Sequence, residues 1–183
     1  AARNGLGAQN GAVVALEPTT GRILALVSTP GFDPNVLAVH STSEAAAQYR
    51  ALEQAAGDPL VPKTHRERYA PGSTFKLVTA AAALESGDYT ADTPVPSPVQ
   101  LELPQTSATI GNFGGGSCGG EQVSLADALR TSCNTAFASL GMTLGEDALR
   151  EQSERFGFLD PELTMPLPVV ESVFPSGMDQ DRK

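Results

Sequence analysis

One stretch limits the folds open to this chain more than any other: "APGSTFKLVTAAAALESG", residues 70 to 87. Pro71 and Gly72 open a helix at about Ser73, Gly87 closes it, and the residues between are apolar on nearly every side. Such a helix is normally buried, so segments before and after it must wrap around it. The chain is long enough to do so. Its 183 residues are 40% hydrophobic and 18% charged, the size and balance of one globular domain with its own core. A net charge of −9 argues against a surface that tracks phosphates, so nucleic acid is not expected as a partner and the acidity is read as serving solubility. No apolar run approaches the roughly 18 residues of a membrane span, and the N-terminus lacks the basic and then apolar regions of a leader. The chain reads as a soluble piece from which an upstream anchor could have been removed.

Ahead of the helix, "AVVALEPTTGRILALVS" (residues 12 to 28) holds two apolar β-type runs around a turn, "EPTTGR", and predicts a hairpin whose strands are apolar enough to be buried. "SEAAAQYRALEQAAGD" predicts a surface helix closed by Gly57. After it, residues 88 to 122 carry four prolines and then "GNFGGGSCGG", which predicts a long loop or short strands with mobile glycines. "SLADALRTSCNTAFASLG" predicts two short helices joined at Ser132 to Asn134, with Ser124 as N-cap, and "GEDALREQSERFGF" a further amphipathic one. No internal repeat is found.

Within this frame, Ser73 and Lys76 stand three apart, on one face of a helical turn. A serine hydroxyl is a poor nucleophile at neutral pH and needs a base, a role that a lysine held neutral by burial can fill. The helix start adds unpaired N–H groups and a positive dipole end, which favour negative charge beside Ser73 and disfavour the ammonium form of Lys76. With 14 serines and three lysines, about 0.2 such SxxK pairs are expected by chance, so the pair alone is a weak signal. Taken alone it also reads as an N-cap serine beside a lysine pointing outward. The triplet Ser132-Cys133-Asn134 is weaker still, since about 0.4 SxN triplets arise by chance and capping residues explain it equally well. Its chemistry fits all the same: a second hydroxyl can relay a proton, and a carboxamide can hold a lysine or a substrate carbonyl.

The order of the hairpin "GAVVALEPTTGRILALVS", "DPN" at 33 to 35, "PGSTFK" opening an apolar helix and "SCNTAF" 56 residues beyond the lysine resembles the transpeptidase domain of class B penicillin-binding proteins, in particular the penicillin-binding protein A type of actinomycetes. The likeness runs from about Gly11 to Phe158. It implies an α+β fold of the penicillin-binding protein and β-lactamase-like kind, with an antiparallel sheet and a helical subdomain. Residues 1 to 183 would be the N-terminal portion of one transpeptidase domain, holding the hairpin at 12 to 28, the nucleophile helix at about 73 to 86 and the SxN region at 124 to 141. The implied activity is peptidoglycan D,D-transpeptidation through an acyl-serine, on stem peptides ending in D-alanyl-D-alanine, with β-lactams trapping the serine. Ser73 would be the nucleophile, Lys76 its base, Ser132 the proton relay, and Asn134 a contact to lysine and substrate. The Ser73 amide would supply half of an oxyanion hole, each such donor being worth about 100- to 1,000-fold in rate. No cluster of histidine, cysteine and carboxylate has metal spacing, so no metal is expected, and no cofactor is; the likeness implies an extracytoplasmic location on an N-terminal membrane anchor outside this chain, and cell-division or elongation proteins as candidate partners. In an exported protein Cys118 and Cys133 would form a disulfide, closing a loop of about 15 residues worth on the order of 3 kcal/mol.

Departures and rivals stand beside this reading. The third motif of the family, lysine then threonine or serine then glycine, is missing: Lys63-Thr64-His65 precedes the nucleophile and is read as loop, and Lys183 ends the chain. The later strands of the sheet are therefore expected to be absent, leaving the hairpin with unpaired edges. "VPKTHRERYAPG" is more basic than the family pattern, where an asparagine-arginine pair is usual near Pro62 and Lys63. "GGSCG" at 115 to 119 matches a hydrolase nucleophile elbow on Ser117, but both histidines, His40 and His65, come earlier, against the order that such an elbow requires. Those histidines are read as solvated loop residues. Alternatives in the same superfamily are a non-catalytic β-lactam-binding or scaffold module, a β-lactamase, and a D,D-carboxypeptidase.

Overall fold

Residues 1–175 are described by the computed structural model; Lys183 lies outside the described residues. The chain falls into two compact units, Ala1–Tyr69 with Thr164–Val170, and Ala70–Leu163 with residues 171–175. Among the described residues every sheet has two strands, and no helix is long and apolar enough to cross a membrane.

In the first unit, strands β1 (Gly11–Leu16) and β2 (Ile23–Thr29) pair antiparallel, from Gly11 opposite Thr29 to Leu16 opposite Ile23, with the register shifting after Ala15. The "EPTTGR" turn closes as its residue types demand: the N–H of Gly21 donates to the Glu17 carbonyl, and that of Glu17 to the Arg22 carbonyl, both at 2.9 Å. The strands are not buried as expected. Val14, Leu16 and Leu24 are each about half exposed (48%, 54% and 59%), because a two-stranded sheet with only the short helices α1 (Ala2–Leu6) and α3 (Lys63–Arg66) packed on it lacks cover for both faces.

Helix α2 (Thr42–Glu53) starts where Ser41 accepts from the Glu44 N–H at 3.2 Å, and it has no buried residue, as a surface helix should. It ends at Gln54, short of the expected stop at Gly57. Gly57 and Asp58 instead form a turn with positive φ (82° and 49°) whose carbonyls are held by Lys63. Lys63 and His65 therefore belong to α3 and not to a loop: Lys63 is buried and His65 half-buried, while His40 is exposed.

In the second unit, α4 (Lys76–Glu85) packs on α6 (Asn134–Arg155), with β3 (Pro94–Pro96), β6 (Gln122–Ser124) and α5 (Leu125–Arg130) closing the core. Ala80, Ala83, Ala128 and Ala136 let these backbones approach closely around Val95, Leu125, Phe137 and Leu140. The α4 helix is less enclosed than its composition predicts. Leu77 and Leu84, seven apart on one stripe, are about half exposed (54% and 49%), so burial covers one broad face rather than the whole circumference. Between α4 and α5 the proline- and glycine-rich segment yields short strands, with β4 (Gln100–Glu102) pairing β5 (Thr109–Gly111) and β3 pairing β6. Ser124 caps α5 by accepting from the Asp127 N–H at 3.1 Å. The two helices expected after Ser132 are both present within α6 and meet at Gly145, whose φ of 81° and ψ of 171° no helix accommodates.

Candidate active site

The nucleophile segment begins at Gly72, whose φ of 54° is one that glycine adopts without cost. Gly72–Phe75 then forms a single 3-10 turn that passes into α4 at Lys76. Ser73 thus precedes the α-helix instead of starting it, and the tighter turn stacks residues i and i+3 almost directly over one another, which aligns Ser73 with Lys76. Thr74 ties the turn back, its N–H and its hydroxyl both donating to the Pro71 carbonyl. Behind the turn, the Phe75 ring meets Phe158 edge-on at 6.1 Å and Phe174 at 6.2 Å. Phe174 is itself covered by the Arg150 guanidinium, 4.9 Å above its ring.

The second part of the site comes from the end of α5. The Cys133 N–H donates to the Ala128 carbonyl and the Ser132 N–H to the Leu129 carbonyl, the paired bonds of a Schellman ending. That motif requires a left-handed residue after the helix, usually glycine, and here the residue is Ser132 with φ 55°. A non-glycine in this conformation costs on the order of 1 kcal/mol, and in return both the hydroxyl and the carbonyl of Ser132 face the lysine.

Four oxygens surround the Lys76 amine: the Ser132 carbonyl at 2.6 Å, Asn134 Oδ1 at 2.6 Å, Ser132 Oγ at 2.9 Å and Ser73 Oγ at 3.3 Å. Ser132 Oγ also donates to Ser73 Oγ at 3.1 Å. An ammonium has three N–H groups and cannot serve four oxygens at once. A neutral amine that donates to the Ser132 carbonyl and to Asn134 keeps its lone pair for a hydroxyl. Burial pushes the Lys76 amine below its ordinary pKa by disfavouring the charged form. Ser73 and Ser132 are exposed and Asn134 half-buried, so a buried amine underlies an accessible hydroxyl.

The four residues singled out by sequence thus meet around one amine. Cys118 and Cys133 are joined in a disulfide, Cα to Cα 5.8 Å, that fastens the glycine loop beside the SxN triplet. Ser117 lies exposed in that loop, where its Oγ accepts from the Gly119 N–H, and the next α-helix starts only at Leu125, so no nucleophile elbow forms. Sequence reasoning missed Gly111 and Asn112. The Gly111 carbonyl accepts from Asn134 Nδ2 at 3.1 Å, and Asn112 Oδ1 accepts from the Thr135 N–H at 3.1 Å. An asparagine among glycines was a signal for a side-chain anchor, and the glycines alone were read as mobility. Among the described residues, no cluster of histidine, cysteine and carboxylate is arranged to hold a metal.

Residues 11–164 match the family described as the penicillin binding protein transpeptidase domain. The chain is 46% identical over 163 residues to the peptidoglycan D,D-transpeptidase PbpA of Mycolicibacterium smegmatis, covering 88% of this chain and 33% of that protein. It superposes on the crystal structure of PBPA from Mycobacterium tuberculosis with a TM-score of 0.86 and 45% identity, over 91% of this chain and 38% of that one. The penicillin G acyl-enzyme complex of penicillin-binding protein A from the same organism gives a TM-score of 0.85 at 45% identity, again over 91% of this chain and 38% of that one. This chain spans about a third of the length of the curated relatives it matches.

Proposed function

The chain belongs to the penicillin-binding protein transpeptidase family and has its α+β fold, and on that premise we propose that it carries the acyl-transfer centre of a peptidoglycan D,D-transpeptidase, as the N-terminal portion of one transpeptidase domain. The observation behind this reading is the buried Lys76 amine facing the exposed Ser73 hydroxyl at 3.3 Å, with Ser132 Oγ in reach of both.

In this reading Ser73 Oγ attacks the carbonyl carbon of the penultimate D-alanine of a stem peptide, and its proton passes to the neutral Lys76 amine. The bond to the terminal D-alanine then breaks. Its nitrogen takes up the proton from Lys76 by way of the Ser132 hydroxyl, which leaves an ester on Ser73. An amine from a neighbouring strand attacks that ester, gives its proton back along the same path and releases the serine. Asn134 holds the lysine through Oδ1, and its second amide hydrogen is available to a substrate carbonyl. A β-lactam ring opened by Ser73 forms the same ester with its leaving amine still tethered. The substrates are stem peptides ending in D-alanyl-D-alanine, the inhibitors β-lactams, the location the outer face of the cytoplasmic membrane by an N-terminal anchor, and the protein partners those of division or elongation.

The test is incubation of the full-length protein with a fluorescent penicillin, followed by mass spectrometry of the labelled peptide. A slowly released adduct on Ser73 is expected. Rapid release would indicate a β-lactamase, and absence of label a non-catalytic scaffold module.

A further inference from the structure

Asn112 follows directly on β5. Its Oδ1 accepts from the backbone N–H of Thr135 at 3.1 Å and from the Thr135 hydroxyl at 3.3 Å, and its Nδ2 donates to the Gly116 carbonyl at 3.1 Å. Thr135 is fully buried in the first turn of α6, so this anchor is rigid. The residue before it, Gly111, turns its carbonyl to Asn134, whose Nδ2 donates to it at 3.1 Å while Oδ1 of the same carboxamide accepts from Lys76 at 2.6 Å.

A carbonyl can only accept a hydrogen bond, and the two ends of a carboxamide are not equivalent, one donating and the other accepting. Gly111 therefore selects which end of Asn134 faces the lysine. The flipped amide would set an oxygen against the Gly111 oxygen, and its N–H toward Lys76 would either oppose an ammonium or take up the lone pair that the neutral amine needs for the serine proton. We infer that Asn112 is a positioning residue for acyl transfer: by fixing the end of β5 to α6 it holds the Gly111 carbonyl where it orients the Asn134 carboxamide. This inference rests on the acyl-transfer reading of the site.

The experiment resolves β-lactam acylation of the full-length protein into the affinity of the non-covalent complex and the rate of ester formation, for Asn112→Ala, Asn112→Asp, Asn134→Ala and the double variant Asn112→Ala/Asn134→Ala. Asn112→Ala is expected to slow ester formation about tenfold with affinity within about threefold, and to add nothing once Asn134 is alanine, since there is no carboxamide left to orient. Asn112→Asp, which keeps the acceptor toward Thr135, is expected to remain within about threefold of wild type. An undiminished rate in Asn112→Ala, or an equal loss in both backgrounds, overturns the inference. Should Asn112→Ala not fold, a folded Asn112→Asp slowed by about tenfold or more overturns it on its own. If wild type takes no label, the acyl-transfer reading fails instead, and NMR of the Asn134 side-chain amide then decides for Asn112. One amide proton protected from exchange in wild type, freed in Asn112→Ala and still protected in Asn112→Asp supports the anchor, and unchanged protection in Asn112→Ala or its loss in folded Asn112→Asp overturns it.

Discussion

Both lysines among the described residues are buried, and each is the first residue of a helix: Lys63 opens α3 at 3% exposure and Lys76 opens α4 at 9%. They differ in what they face. Lys63 Nζ donates to the Gly57 carbonyl at 2.6 Å and the Asp58 carbonyl at 3.2 Å, groups that can accept a bond and do nothing else. Lys76 faces two hydroxyls and a carboxamide besides one carbonyl. Burial and placement at a helix start are common to both, so neither property marks a base. A hydroxyl with a proton to give distinguishes Lys76. The first lysine holds a turn closed, and the second, in the proposed reading, takes the Ser73 proton.

Substitutions should separate the two lysines. The largest effect is expected at the second: Ser73→Ala leaves no β-lactam adduct, and Lys76→Ala slows acylation about a thousandfold, both measured with a fluorescent penicillin. Removing the proposed relay is expected to cost less. Ser132→Ala and Ser132→Gly should each slow acylation about a hundredfold, and the glycine variant should be about 1 kcal/mol the more stable of the two in denaturant titration, because it relieves the left-handed strain that serine bears at φ 55°. Reducing the Cys118–Cys133 disulfide should lower stability by about 3 kcal/mol through the freed 15-residue loop. The smallest effect belongs to the first lysine. Lys63→Met should lower stability by about 2 kcal/mol by stranding the Gly57 and Asp58 carbonyls, with the acylation rate per folded molecule unchanged. A loss of acylation in folded Lys63→Met would break the distinction.

What the sequence made readable follows from short spacing. That Ser132 and Asn134 join Ser73 and Lys76 was implied by the family resemblance alone, whereas spacing puts Ser73 and Lys76 on one face and the hairpin carries its turn chemistry in "EPTTGR". The capping serine at 124 was readable for the same reason. Contacts between distant segments were not. Nothing local signals that the Gly111 carbonyl meets an amide 23 residues on, or that Lys63 turns inward. The exposure of Leu77 and Leu84 was hidden too, because alanine-rich composition shows that a helix is apolar without showing how much of its circumference neighbours cover. The division of α6 into two helical segments at Gly145 was readable, because a glycine marks the break locally.

The central claim is that Lys76 acts on Ser73 as a neutral amine, and the rate of acylation against pH tests it most directly. Burial lowers the lysine below its ordinary 10.5, and only the unprotonated amine can accept the serine proton. The rate should therefore rise with pH along a limb centred below 10.5, reach a plateau above it, and lose that limb in Lys76→Ala. A limb that stays at 10.5, or one that survives unchanged in the alanine variant, would contradict the account.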